Sequence, residues 1–105
     1  MPESVPRAGA VTLCVLLWAR PGTEAGLIAY EDQVLRIAAE HRGRVLQRAR
    51  SSGDGQPLEI QTLEFPSAQA LDDFMTDDRR QALAGERDRV ISRTEIIEVR
   101  LVPSG

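Results

Sequence analysis

The stretch VTLCVLLWAR, residues 11–20, decides the fold. Val11, Leu13, Val15 and Leu17 fall on one side of an extended chain, and Thr12, Cys14, Leu16 and Trp18 fall on the other. One side is wholly apolar and the other largely so, which is the pattern of a strand covered on both faces. Val11–Arg20 therefore reads as a central strand. Its second face needs a partner, either another layer of this chain or another subunit.

Working outward, Pro21-Gly22 breaks the strand. Leu27, Tyr30, Val34, Ile37, Ala38 and His41 then recur at helical spacing. They predict a first helix over Glu24–Arg42, with Gly43 as its stop and Arg42 suited to its last turn. Arg44–Ser51 and Leu58–Phe65 read as two strands of a hairpin around the turn-rich SSGDGQP. Pro66 ends the third strand and Ser67 is a sound N-cap. A second helical stretch reaches Ser92, with a kink or fresh start at Thr76, Asp77 and Asp78. Thr94–Val102 reads as the last strand, closed by Pro103.

The order is βαββαβ. A chain of this pattern folds as an α+β four-stranded antiparallel sheet with both helices on one face. The other face of such a sheet is bare, and Leu16 and Trp18 make it apolar. Bare apolar surface of this kind is an association surface. A homodimer is expected, joined through the sheet face into a barrel. Residues 1–10, with two prolines and no periodicity, read as a flexible arm. Residues 11–102 read as a single domain and 103–105 as a tail.

Composition removes several classes of function. The 105 residues fit one domain. A net charge of −3, with arginines interleaved among acids, argues against nucleic acid. The longest apolar run, 11–19, is far short of the roughly 20 residues of a membrane span. The N-terminal MPESVPRAGA has no hydrophobic signal core, because Pro, Glu and Arg interrupt it, so a cytoplasmic location is expected. There is no Lys and no Asn, hence no Schiff-base lysine and no phosphate-loop lysine. Cys14 and His41 are the only residues of their kinds, too few for a structural zinc site. No metal and no cofactor is implied.

Three stretches carry a resemblance to a known family. YEDQVLRIAAEHRGRVLQR, LEFPSAQALDDFM and RRQALAGERDRVISRTEIIEV together resemble the dimeric α+β barrel superfamily of ferredoxin-like domains. Within it the chain is similar to the bacterial domain-of-unknown-function family 1330. The likeness covers Val11–Val102, and Glu-Phe-Pro-Ser at a strand–helix junction is its most specific part. An aromatic pair expected in the second helix is replaced by Phe74-Met75, followed by TDDRR. The resemblance implies a dimeric barrel that binds a small molecule, aromatic or acyl. Superfamily members include monooxygenases, cyclases and isomerases that use no cofactor. The pocket Asn of the monooxygenases has no counterpart here.

The candidate residues each have two readings. His41 is a general base or a helix C-terminal cap. Glu64 is a desolvated base inside the barrel or a plain ion-pair partner of an arginine such as Arg48. Trp18 is dimer core or pocket wall. Tyr30 lies on the inner stripe of the first helix, where packing competes with proton transfer. Arg48 and Arg87 clamp a ligand carboxylate or phenolate, or sit in surface ion pairs. Phe74 is a pocket wall. The readings kept open are a small-molecule-binding homodimer, a cofactor-independent cyclase, isomerase or monooxygenase with His41 or Glu64 as base, and an association module without a pocket.

Overall fold

The computed structural model of the chain describes residues 9–103. The elements are β1 (Val11–Ala19), α1 (Glu24–Glu40), β2 (Arg44–Arg50), β3 (Glu59–Phe65), α2 (Ala68–Met75), α3 (Asp78–Gln81), α4 (Ala84–Val90) and β4 (Ile91–Val99). The strands form one antiparallel sheet in the order β2-β3-β1-β4. β1 is central, as its two apolar faces require. The fold is α+β and ferredoxin-like. The arm expected over 1–10 lies, but for Gly9 and Ala10, outside the described residues, as do tail positions 104–105.

One face of the sheet is covered. Leu13, Val15 and Leu17 of β1 join Leu63 and Phe65 of β3 beneath Leu27, Val34, Phe74 and Val90 of the helices. Register assigns the remaining residues. Thr12, Cys14, Leu16 and Trp18 share the opposite face with Ile60, Thr62 and Glu64 of β3 and with Ile97 and Val99 of β4. No helix among the described residues covers that face, and Leu16, Trp18 and Ile60 are only half-buried.

Two glycines are fixed by close approach. The left-handed residue that ends α1 is Arg42, at φ 63°, not Gly43. Gly43 donates its N–H to the Ala38 carbonyl at 2.8 Å. A Cβ at Gly43 would stand 2.7 Å from Phe65 Cε2 and 2.9 Å from the Ala38 oxygen, so only glycine fits. At Gly26, a Cβ would meet Val90 Cγ1 at 3.0 Å, where α1 passes α4.

The second helical stretch is three short helices. Ser67 Oγ accepts from Ala70 N at 3.0 Å and starts α2. Asp77 Oδ1 accepts from Arg79 N at 2.8 Å and starts α3. β4 begins three residues earlier than its sequence suggests, at Ile91, which pairs with Ala19 across an irregularity in the ladder. Its polar opening, Ser92-Arg93-Thr94, belongs to an edge strand, and this masks the strand pattern. It ends at Val99 because Thr12 is its last partner. Leu101 and Val102, expected inside the strand, are 60% and 82% exposed.

Candidate functional site

Between the covered face and the helices lies a cavity of about 60 Å³. Its walls are mostly apolar, from Leu13, Val15 and Leu63 of the sheet to Val34, Leu71 and Phe74 of the helices. Three charged side chains reach it: Glu31 of α1, Arg80 of α3 and Arg87 of α4. Thr94 and the half-exposed Ile96 of β4 complete its rim. Such a wall, apolar with a few convergent polar groups, is the usual build of a small-molecule site.

Glu31 is 5% exposed. Its Oε1 accepts from Gln61 Nε2 at 2.8 Å. Its second oxygen has no hydrogen-bond partner among the described residues. Gln61 spans two carboxylates, because the same amide nitrogen donates to Glu59 Oε2 at 2.6 Å. Glu59, fully buried, also accepts from Arg48 Nε at 2.6 Å and Arg50 Nε at 2.9 Å. Arg48 continues to Asp32 of α1 at 2.8 Å.

The two carboxyls move in opposite directions. Burial pushes Glu31 above the ordinary carboxylate range, the Gln61 bond opposes this, and the Glu59 charge adds to it. Burial acts on Glu59 in the same sense, but hydrogen bonds from Arg48, Gln61 and Arg50 outweigh it and hold the carboxyl low. Tyr30, also buried, is raised by burial and by Glu31 beside it.

Arg80 donates through Nη1 to the Met75 carbonyl at 3.1 Å and lies over the Phe74 ring at 5.3 Å. Its Nε–H is buried with no acceptor. Arg87 makes one weak hydrogen bond among the described residues, to Thr94 Oγ1 at 3.3 Å.

The sequence candidates separate into two groups. Phe74 and Arg87 line the cavity. Tyr30 adjoins it, within the electrostatic reach of Glu31, Arg80 and Arg87. Arg48 is tied to it through Glu59 and Gln61. The other three stand elsewhere. His41 caps α1, and its Nε2 meets Asp77 Oδ2 at 2.8 Å. Arg79, and then His41, hold the Asp77 carboxyl well below the usual range. Glu64 lies on the open face and pairs with Arg44, its register neighbour, at 3.3 Å. The arginine beside it is thus Arg44; Arg48 serves Glu59. Trp18 is also on the open face, under Arg93 at 4.4 Å, with its Nε1 donating to the Gly55 carbonyl at 3.0 Å. The wide depression beside it is bordered by residues of the 51–58 loop.

Sequence reasoning missed Glu31, Gln61 and Arg80. Glu31 was legible: it sits four residues after Leu27 and three before Val34, inside the apolar stripe. Gln61 was legible too, since Phe65 under the helices puts Leu63, Gln61 and Glu59 on the same face. Arg80 gave no signal, because it belongs to a four-residue helix whose direction depends on two turns.

No family model and no curated protein matches the chain. Solved structures do. A protein of unknown function from Rhodopseudomonas palustris is 17% identical, at TM-score 0.76, over 93% of this chain and 86% of that one. An uncharacterised NIPSNAP-like domain protein from Burkholderia xenovorans is 9% identical, at TM-score 0.72, over 89% and 85%. A dimeric protein of unknown function and ferredoxin-like fold from Bacteroides fragilis is 12% identical, at TM-score 0.66, over 91% and 100%. At these identities the likeness is one of fold. No helix among the described residues is long and apolar enough to cross a membrane.

Proposed function

We propose that this protein binds a small molecule in the cavity between sheet and helices, and does so as a homodimer joined through the open face. The carrying observation is the cavity itself. An apolar wall holds the Glu31 carboxyl, whose second oxygen makes no hydrogen bond among the described residues, and the buried Arg80 Nε–H, which has no acceptor. An unpaired buried donor is costly, and a ligand that pairs it recovers that cost. Phe74 and Arg87 serve as ligand contacts, with Tyr30 and Arg48 behind them. The volume favours one part of the expected ligand class. About 60 Å³ is under half of the roughly 150 Å³ that houses one benzene. A thin acyl or small carbonyl group suits it better than an aromatic ring.

The dimer reading rests on the half-buried apolar residues of the open face and on a dimeric relative in fold. Trp18 then belongs to the interface. Membership of family 1330 rests on Glu-Phe-Pro-Ser, which spans the β3–α2 junction here. Residues 11–102 are taken as one domain. Native mass spectrometry tests both halves of the proposal. The expected result is a dimer mass with a small retained adduct, lost in Leu71→Trp, which fills the cavity. A monomer at micromolar concentration overturns the dimer. An adduct undiminished by Leu71→Trp overturns the cavity.

A further inference from the structure

The charged groups of the cavity have a collective meaning that binding alone does not use. With Glu31 ionised, its lining carries one negative and two positive charges. The surplus suits an anion. Arg87 has donors to spare for a carboxylate. The buried Nε–H of Arg80 calls for one more oxygen acceptor. The uncommitted oxygen of Glu31 faces the opposite need, a proton to accept. A carboxylate in an apolar wall is a stronger base than one in water.

We propose that the cavity catalyses enolisation of a short 2-oxo acid, with Glu31 as general base and Arg80 as the donor that holds the enolate oxygen. The inference rests on the binding reading above and names its ligand class. The step balances without any co-reactant. Glu31 takes a proton from C3 as the C–H electron pair becomes the C2–C3 double bond. The carbonyl electron pair moves onto oxygen, where Arg80 Nε–H stabilises it. Return of the proton to C3 restores the ketone, and return to oxygen releases the enol. Arg87 holds the substrate carboxylate. Gln61 positions Glu31 by donating to Oε1, which leaves the second oxygen free for chemistry. The groups facing Glu31 are Glu59 on β3, which favours its neutral form, and Arg48 on β2 and Arg80 on α3, which favour its charged form.

The test uses pyruvate, the smallest 2-oxo acid with an enolisable C3–H, in D₂O. Proton NMR reads the loss of the C3 methyl signal, and saturation transfer in the same sample reads binding. The expected result is enzyme-dependent exchange that falls about 100-fold or more in Glu31→Gln and in Arg80→Met. Circular dichroism melts check that both variants are folded. If Glu31→Gln fails to fold, Arg80→Met decides. Exchange that persists in folded Glu31→Gln or Arg80→Met overturns the assignment of that residue. Pyruvate binding without exchange in the wild type overturns the catalytic inference and leaves the binding reading intact. Absence of pyruvate binding, beside an adduct of another class in the native mass spectrum, overturns the substrate class. Absence of both overturns the binding reading as well.

Discussion

Glu59 and Glu64 stand on the same strand, five residues apart, on opposite faces of the sheet. Glu59 is wholly buried and collects hydrogen bonds from Arg48, Arg50 and Gln61. The Glu64 side chain is 21% exposed and pairs with Arg44 at 3.3 Å. The difference belongs to the faces. Under the helices, the network around Glu59 holds it in its charged form. On the open face, Glu64 keeps partial exposure and has Arg44 among its partners. The same strand thus carries a buried polar network on one side and a half-buried apolar face on the other.

The sharpest way to break this comparison is a pair of adjacent substitutions in β1. Val15→Asp places an unpaired charge in the core and is expected to unfold the chain, a loss of about 4 kcal/mol or more. Leu16→Asp, one residue on and one face over, is expected to leave the protomer folded. It should weaken the proposed dimer by roughly 2 kcal/mol. Thermal melting beside analytical ultracentrifugation reads both. Equal unfolding by the two would mean that the open face is part of the core.

Next in size is Glu59→Gln, expected to destabilise by about 3 kcal/mol, because it leaves Arg50 without its charge partner and Arg48 with Asp32 alone. The folded-state pKa of Glu59 is depressed. Its contribution is therefore present above the unfolded value near pH 4.3 and is lost as pH falls through the folded one. The gap between wild type and variant in chemical denaturation should close in acid.

Glu31→Gln has the opposite sign. The folded-state pKa of Glu31 is raised, so the ionised carboxyl weighs against folding at neutral pH. The variant should melt above the wild type at pH 7 and lose that advantage below about pH 4. A variant less stable at pH 7 would place the value of Glu31 in its bond to Gln61 instead. Glu64→Gln closes the series, with a change of at most about 1 kcal/mol at pH 7, as a partly exposed ion pair allows.

Much of this was legible before any coordinates. The double-sided apolar pattern of residues 11–19 led to a central strand and to the element order. The first helix, the hairpin and the Ser67 cap follow from local chemistry, which a sequence displays directly. What stayed hidden depended on partners distant in the chain. The start of β4 is set by Ala19, and its end by Thr12. The side chosen by Glu64 depends on where Phe65 packs, and Phe65 packs under α2 against Phe74 at 5.4 Å between ring centroids. His41 is the clearest case. Its place at the end of α1 follows from the sequence, but its partner is Asp77, which the fold brings to it from 36 residues away.

The division of the second helical layer into α2, α3 and α4 has a consequence for heredity. One residue inserted into a continuous helix turns everything beyond it by about 100°. Here the breaks at Thr76-Asp77 and Ala82-Leu83 absorb such a change. A residue gained or lost in one roof segment then need not turn the other two. The roof can vary piece by piece while the sheet beneath it stays the same.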